Sequence, residues 1–374
     1  MKIVFCLLLF AVPRISEAQS DTETENIFIV TTDGFRWQEV FTGADSTLIN
    51  STAYVEDTSL LKQLYWDSTA SLRRQKLMPF FWNTIAKKGQ IYGNRLYQNN
   101  MNVTNFYKIS YPGYNEMLTG YADPLFIPNV PIRNRNTNIL EYLNAKKEFK
   151  GQVAAFSSWN IFISILNKKR NKLPGDCGYE RLCDDSSMNN EMINQAQDEE
   201  INKKHTRYDL LTFLSARQYL EHKHPRVVLI GFGETDNFAH AGKYDMYLQQ
   251  AAYVDKMISE LWYYVQTDPL YRNKTTFIIT TDHGRGRKSD TWYKHGIFTK
   301  GSSETWFAVL GPGISPVGEM KYSQQVYQKQ VASTIAFLLG DEFNTPKNKA
   351  AAIPIPMIQD IKFASVINTE SMMK

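Results

Sequence analysis

The chain has 374 residues, of which 43% are hydrophobic and 21% charged, and its formal net charge is +4. This composition excludes a disordered or fibrous protein, and a small positive charge without a long basic run gives no support to nucleic-acid binding. The length is compatible with one large α/β domain, because such sheets reach this size around a single core.

The beginning of the chain has the pattern of a secretory signal. Lys2 precedes an apolar stretch at residues 3–12, and the small residues before Gln19 fit a cleavage site. That stretch is too short to span a bilayer, and no later segment is apolar enough to do so. We therefore predict a signal peptide at residues 1–18 and an exported protein, periplasmic or secreted, in which residues 19–374 form a single catalytic domain. A retained membrane anchor is the weaker alternative.

Short apolar runs rich in β-branched residues alternate along the chain with longer helical patterns. The predicted strands are Asn26–Thr32, Gly151–Phe156, Arg226–Phe232, Thr275–Thr281 and Thr305–Leu310. The clearest predicted helices are Tyr208–Glu221, Tyr244–Val265 and Gln325–Leu339. This alternation predicts an α/β fold with a mainly parallel central sheet and helices on both faces. In such sheets the loops that follow the carboxyl ends of the strands carry the functional residues.

One polar segment, Asn167–His205, departs from this alternation. It is rich in Lys, Asn, Asp and Glu, and we predict a small insertion or cap beside the active site. It contains Cys177 and Cys183, the two cysteines that remain after removal of the signal. In an oxidising compartment we expect them to form one local disulfide, and half of a metal site is the alternative.

Aspartate and histidine residues lie at or beyond the ends of three predicted strands. They are Asp33 after the first strand, Asp236 and His240 after the third, and Asp282, His283 and His295 after the fourth. Carboxylate oxygens and imidazole nitrogens suit zinc or manganese, and a ligand set without cysteine is typical of a catalytic site. Each residue alone has a structural alternative, because an Asp-Gly pair is more often a turn and a lone histidine is more often solvated. Three of the six histidines accompany these aspartates, however, which favours a metal site.

Five short motifs follow one another along the chain. They are Thr32-Asp33-Gly34, Ser110-Tyr111-Pro112-Gly113 leading to Thr119-Gly120, Asp236-Asn237-Phe238-Ala239-His240, Thr281-Asp282-His283-Gly284 and Lys294-His295-Gly296. These motifs and their order resemble the alkaline phosphatase superfamily, especially its branch of nucleotide pyrophosphatases and phosphodiesterases. The resemblance covers nearly the whole mature chain and implies an alkaline phosphatase-like fold.

The resemblance also implies a role for each matching residue. Two divalent cations, zinc or alternatively manganese, would be held by two ligand sets: Asp236, His240 and His295, and Asp33, Asp282 and His283 together with Ser110. Ser110 stands at the position of the nucleophile, at a predicted helix start where the helix dipole favours negative charge. It would take the phosphoryl group before water hydrolyses the intermediate, and the two ions would assist the attacking and leaving oxygens. The alternative is that Ser110 only caps this helix.

The residues that would contact the phosphate group are matched less closely. Relatives use an asparagine after the nucleophile, for which Asn134 and Asn136 are the candidates, and the alternative is that both form turns. Phosphomonoesters carry more negative charge than diesters and recruit a further cation, for which Lys108, Arg285 and Arg287 are candidates.

The expected substrate is a small-molecule phosphate ester, but other functions use the same residues. A phosphodiesterase or nucleotide pyrophosphatase, or a sulfatase with an unmodified serine, would share this centre. A formylglycine sulfatase is disfavoured because Tyr114 stands where that class requires arginine. Outside enzymes, the alternative is a metal-dependent binding protein, although no predicted ligand is missing. The sequence leaves the oligomeric state open.

Overall fold

A computed structural model of the chain describes residues 24–125, 129–182, 188–203 and 206–360. The predicted signal peptide, Cys183 and His205 lie outside these ranges, so the signal and the disulfide stay predictions. Among the described residues, no helix combines the length and the apolar character needed to cross a bilayer.

The strands of the described residues form two sheets. They are β1 (Asn26–Thr32), β2 (Gln90–Tyr92), β3 (Asn99–Asn102), β4 (Val153–Ser157), β5 (Val227–Phe232), β6 (Thr275–Thr281), β7 (Glu304–Thr305), β8 (Phe307–Leu310), β9 (Gly318–Glu319) and β10 (Gln324–Tyr327). The main sheet has the order β4-β5-β1-β6-β8-β2-β9, and the small sheet has the order β10-β3-β7. Strands β4, β5, β1 and β6 are parallel, whereas β8 runs antiparallel to both of its neighbours. The predicted mainly parallel sheet is therefore confirmed.

Helices cover both faces of the main sheet. They are α1 (Trp37–Thr42), α2 (Thr58–Tyr65), α3 (Ala70–Leu77), α4 (Ala86–Lys88), α5 (Ser110–Thr119), α6 (Ile139–Ala145), α7 (Phe162–Ile165), α8 (Lys168–Asn171), α9 (Met188–Asp198), α10 (Asp209–Lys223), α11 (Glu234–His240), α12 (Tyr244–Thr267) and α13 (Val331–Leu338). Short 3-10 turns occur at Leu48–Asn50, Arg95–Tyr97 and Gln328–Gln330, and a π-helical turn at Phe81–Ile85 leads into α4.

Strand β1 is buried along its whole length and lies between two hydrophobic cores. Its residues Ile27 and Ile29 pack in the core that includes α5, α6 and α13, and Phe28 and Val30 pack in the core that includes α10 and α12. Successive side chains of a strand point to opposite faces, so a sheet covered on both sides needs apolar residues at every position. This explains the continuous apolar run from which the strand was predicted.

The register of β1 against its two neighbours brings three chain segments together. Thr32 pairs with Phe232 of β5 and with Thr281 of β6. The residues that directly follow these three parallel strands therefore leave the sheet side by side at one edge.

Two sequence predictions need correction. The predicted strand Thr305–Leu310 is divided at Trp306, whose indole donates to the carbonyl oxygen of Phe35 at 2.9 Å, so that β7 joins the small sheet and β8 the main sheet. The predicted helix Gln325–Leu339 is wrong in its first part, because residues 324–327 form strand β10. This strand pairs with β3, a partner distant in sequence that overrides the local helical pattern.

The described part of the polar segment at residues 167–205 lies along the outer edge of the main sheet. The backbone N–H groups of Ala155 and Ser157 in β4 donate to the carbonyl oxygens of Pro174 and Asp176, both at 3.0 Å. Cys177 is buried in this contact. The segment thus covers an edge strand that would otherwise expose unpaired backbone groups.

Candidate metal centre

Asp33 and Asp282 follow the neighbouring strands β1 and β6, and both carboxylates are buried. Gly34 turns the chain with a φ of 57°, and its N–H donates to Asp282 Oδ1 at 2.9 Å. A Cβ atom at residue 34 would lie 2.9 Å from Cε1 of His283, which is closer than packed carbon atoms approach. Glycine at this turn therefore allows the two strand ends to converge.

His283 is oriented by its own backbone. Its Nδ1 lies 3.0 Å from the carbonyl oxygen of Gly284. Because a carbonyl oxygen only accepts, Nδ1 carries a proton, and Nε2 is the ring atom that faces the carboxylates. That Nε2 lies 3.4 Å from Asp33 Oδ1 and 3.6 Å from Asp282 Oδ2.

Helix α11 supplies Asp236 and His240 from one face, since residues four apart in a helix are neighbours. His240 Nε2 lies 3.2 Å from Asp236 Oδ2. His295 comes from the loop between β6 and β7, and its Nε2 lies 2.9 Å from His240 Nε2 and 3.7 Å from Asp236 Oδ1. Its ring stacks on that of His283 with a centroid distance of 4.1 Å. All six side chains predicted as ligands thus meet at one place.

Ser110 is the first residue of helix α5 and faces the same place. Its Oγ donates to Asp33 Oδ1 at 3.1 Å and lies 3.2 Å from His283 Nε2. Ile109 occupies the N-cap position, so the alternative in which Ser110 only caps the helix is wrong. The helix comes this close because residue 113 is glycine, where a Cβ atom would lie 2.4 Å from the carbonyl oxygen of Asp282.

The loop that leads into Ser110 is held by Glu116, a buried residue of the same helix. Its carboxylate accepts from the backbone N–H groups of Thr104 and Asn105, each at 2.8 Å, and from both side chains. Lys108 in this loop has a positive φ of 54° and donates its N–H to Asn105 Oδ1 at 2.7 Å. The approach to Ser110 is therefore fixed by the helix that Ser110 begins.

The carboxylates of the centre place negative charge in a buried space. Burial and the charge of Asp33 raise the pKa of Asp282 to about 7. Burial alone lowers the pKa of His283, but the charges of Asp282 and Asp33 outweigh it and raise this pKa to about 9. Burial and the charge of His283 hold the pKa of His295 well below its usual value. A positive charge between the carboxylates is thus favoured, while the imidazole of His295 is kept neutral.

These side chains fit divalent cations. Two groups have potential ligand atoms within 4.8 Å of one another, Asp236, His240 and His295 in the first and Asp33, Asp236 and His283 in the second. Asp282 Oδ2 is buried without a hydrogen-bond partner among the described residues and lies beside the second group. A buried carboxylate oxygen without a donor is costly unless a cation neutralises it. Asp236 belongs to both groups, whereas the sequence assigned it to one.

The three cationic side chains considered as phosphate ligands have different surroundings. Arg285 is buried, its Nη2 donates to Asp236, and its Nε donates to the carbonyl oxygen of Gly34 at 2.9 Å. Arg287 is mostly exposed and forms an ion pair with Glu304. Lys108 remains half-buried two residues before Ser110. Arg285 therefore holds Asp236, one of the predicted metal ligands, a contact that the sequence alone did not predict.

The structure does not bring Asn134 and Asn136 to Ser110. Both are buried, and their amide groups donate to Asn115 Oδ1 at 3.0 and 3.2 Å, further along α5. Another asparagine lies nearer, because Asn129 Oδ1 accepts from the N–H of Tyr111 at 2.9 Å. The sequence could not distinguish among these asparagines, since several of them follow Ser110 in a turn-rich stretch.

Comparisons with known proteins agree with this fold. A family model described as type I phosphodiesterase / nucleotide pyrophosphatase matches residues 49–337. No curated protein matches the sequence closely enough to be counted as a relative.

Solved structures with the same fold are distant in sequence. The lipoteichoic acid synthase LtaP from Listeria monocytogenes aligns with a TM-score of 0.55 and 11% identity over 88% of this chain and 74% of that chain. The phosphonate monoester hydrolase SpPMH from Silicibacter pomeroyi aligns with a TM-score of 0.51 and 11% identity over 88% of this chain and 76% of its own. A protein of the alkaline phosphatase superfamily from Vibrio parahaemolyticus has a TM-score of 0.51 and 10% identity, with coverages of 89% and 70%. At these identities the likeness establishes the fold.

Proposed function

Because the chain belongs to the type I phosphodiesterase / nucleotide pyrophosphatase family, we propose that it cleaves phosphate esters through a covalent intermediate on Ser110. Membership of this family makes it a phosphoric ester hydrolase. The proposal adds the nucleophile, a pair of divalent cations and the export of the protein. One observation carries it: Ser110 Oγ lies 3.1 Å from Asp33 and 3.2 Å from His283, among the predicted metal ligands.

In the first step Ser110 Oγ bonds to phosphorus while the bond from phosphorus to the leaving oxygen breaks. The Ser110 hydroxyl donates to Asp33 Oδ1, which is the acceptor for its proton. The leaving oxygen takes up a proton and departs as an alcohol. In the second step water attacks phosphorus, the bond to Oγ breaks and the serine hydroxyl is restored. A diester then yields an alcohol and a phosphate monoester, and a monoester yields an alcohol and phosphate.

Divalent cations, zinc or alternatively manganese, would neutralise the charge that develops on the attacking and leaving oxygens. Asp236, His240 and His295 would hold one of them, and Asp33, Asp282 and His283 the other. The Nε2 of His283, which faces two carboxylates, the Oδ2 of Asp282 without a hydrogen-bond partner and the neutral ring of His295 support this assignment. The position of Asp236 in both groups supports a shared carboxylate between the two sites.

Asn129 is the better candidate for the donor to a non-bridging phosphate oxygen. Its Oδ1 is fixed by the N–H of Tyr111, directly after the nucleophile, which leaves the NH₂ group of an exposed side chain beside Ser110. A positioned amide donor stabilises charge on the phosphoryl oxygens without reorganisation.

A diester is favoured over a monoester because two of the three candidate cations are engaged elsewhere. Arg285 neutralises Asp236 and Arg287 neutralises Glu304, so only Lys108 remains to meet the additional charge of a monoester. A diester carries one charge on its phosphate and needs no further cation.

The test is a panel of aryl phosphate diesters, phosphate monoesters and sulfate esters, assayed with purified protein of measured metal content. We expect diesters to be cleaved with the highest kcat/KM, close to two cations per chain, and loss of turnover in chelator. Ser110→Ala is expected to lower kcat at least about 10³-fold with the metal content unchanged, and Ser110→Thr, which keeps the hydroxyl, to retain part of it.

Each competing function has its own outcome in this test. Turnover of sulfate esters alone would indicate the unmodified-serine sulfatase. Bound metal without turnover of any ester would indicate a binding protein. A wild-type rate in Ser110→Ala would exclude the covalent step, and mass spectrometry of acid-quenched enzyme should find the phosphoryl group on the peptide that contains Ser110.

A further inference from the structure

Helix α11, which carries Asp236 and His240, has no capping side chain of its own. Its first amides are instead bound by Asp209, the first residue of helix α10. The N–H of Gly233 donates to Asp209 Oδ1 at 2.7 Å, and the N–H of Glu234 donates to Oδ2 at 3.2 Å. A residue distant in sequence therefore takes the place of an N-cap.

The arrangement is reciprocal. Helix α10 also lacks a capping side chain of its own, and Glu234 Oε2 accepts from the N–H of Asp209 at 2.6 Å. The two helix starts thus face each other, and each is capped by the carboxylate of the other's first residue. Moving one helix start requires the other to move with it.

The carboxylate of Asp209 is fully buried and fixed from further directions. Ser158, just after β4, donates to its Oδ1 at 2.6 Å, and Gln250 of α12 donates to its Oδ2 at 2.8 Å. The start of α11 is also tied to the end of β1, because Thr235 Oγ1 donates to the carbonyl oxygen of Asp33 at 2.6 Å. The direction of α11 is therefore set by buried polar contacts.

From this geometry we propose that Asp209 is a positioning residue for the metal centre. By fixing the start of α11, it sets how Asp236 and His240 face the cation that they share with His295. The affinity for that cation depends on Asp209, and the affinity for the cation at Asp33 and His283 depends on it less. This inference rests on the proposed function, because it requires that the centre binds cations.

Asp209→Asn replaces one carboxylate oxygen by a donor, so that one backbone N–H of α11 meets an NH₂ group. A shift of the short helix α11 would relieve this unfavourable contact, and it would also move Asp236 and His240. Changes to groups that support metal ligands weaken metal binding about 10–100-fold. We expect a change of this size for the cation at Asp236, His240 and His295, and a smaller change for the other, because Asp236 also belongs to the second ligand group.

The experiment measures the zinc dissociation constants of both sites by competition with a chromophoric chelator, with zinc content as a second readout. Asp255→Asn is the matched control, because Asp255 is also a buried aspartate that accepts two backbone amides, those of Phe80 and Phe81, each at 2.8 Å. It supports the π-helical turn and none of the ligands. Ser158→Ala is a milder variant that removes a single donor to Asp209.

We expect Asp209→Asn to weaken one zinc site about 10–100-fold and Ser158→Ala to weaken the same site several-fold, while Asp255→Asn lowers thermal stability and leaves both constants unchanged. The inference fails if Asp209→Asn and Ser158→Ala keep both constants of the wild type. It also fails if Asp255→Asn weakens zinc binding equally, since the effect would then be general destabilisation. Absence of zinc binding in the wild type would instead refute the proposed function.

Discussion

At the scale of single residues, Gly113 determines how closely Ser110 approaches the predicted metal ligands. The missing side chain lets helix α5 contact the backbone of Asp282, and Ser110 lies one helical turn before this contact. Intrinsic helix propensity alone would favour alanine here by about 1 kcal/mol. A Cβ atom at residue 113 would conflict with the backbone oxygen of Asp282, which cannot rotate away. The steric requirement for glycine therefore outweighs the helix propensity of alanine.

Gly113→Ala is expected to lower kcat about 10²-fold, because the added Cβ must displace α5 and with it Ser110. The control is Gly151→Ala, which adds backbone strain at a φ of 76° but no steric conflict, because its Cβ atom would meet nothing within 4 Å. We would measure steady-state kinetics of both variants with the best diester of the panel, together with their metal content. Wild-type kinetics in Gly113→Ala would show that the position of α5 does not limit the reaction.

Residues that carry a metal-ligand type at a strand end could be identified from the sequence. Asp33, Asp282 and His283 are residue types that bind metals, and each lies in a short sequence motif directly after a predicted strand. The proposed roles of Asn129 and Arg285 could not be assigned in this way, because they depend on where a turn-rich loop and a buried guanidinium lie in three dimensions.

At the scale of elements, a buried carboxylate also organises the π-helical turn at Phe81–Ile85. Asp255 of α12 accepts the amides of Phe80 and Phe81, and burial raises its pKa to about 7 despite these two bonds. Folding therefore favours the protonated acid over the carboxylate. The stability that this group contributes is fully present below its ordinary pKa of about 3.9 and is lost as the pH rises through about 7.

The loss of unfolding free energy caused by Asp255→Asn is therefore expected to become smaller as the pH rises from 5 to 8, by an amount on the order of 2 kcal/mol. Asparagine does not titrate, so the variant lacks the loss of stability that the wild type undergoes. Urea unfolding of both proteins at several pH values gives the difference, in which other titrating groups cancel. A difference that is constant with pH would contradict the raised pKa.

The long central strands of the main sheet were predictable, whereas its short strands β2 and β9 were not. The apolar runs of β1, β5 and β6 gave their positions within one residue, because both faces of these strands are buried. Strands β3 and β10 were missed since they are polar, short and paired only with each other and with β7. For Gln324–Tyr327, the local pattern favoured a helix and the distant partner decided the outcome.

At the scale of the whole molecule, the predicted metal centre joins the ends of three strands that are far apart in sequence. Asp33, Asp236 and Asp282 follow β1, β5 and β6, which are adjacent only in the folded sheet. The unfolded chain has no such arrangement, so cations that bind the folded state must stabilise it.

Removal of metal is expected to lower the melting temperature by about 5 °C, because each ion at 100 times its Kd contributes about 2.7 kcal/mol. His240→Ala should lose about half of this response, and Asp236→Ala most of it, since Asp236 lies in both ligand groups. His222→Ala on the exposed side of α10 is the control and should respond as the wild type does. Calorimetry with added zinc or chelator measures the response, and equal responses in all four proteins would place the ions elsewhere.

The position of β1 in the sheet has a consequence for synthesis. This strand is the first of the described chain, yet both of its neighbours, β5 and β6, begin beyond residue 226. During translation it must wait unpaired until well over half of the polypeptide has emerged from the ribosome. Closure of the sheet around β1 and assembly of the predicted ligands therefore cannot precede the synthesis of β6, which ends at Thr281.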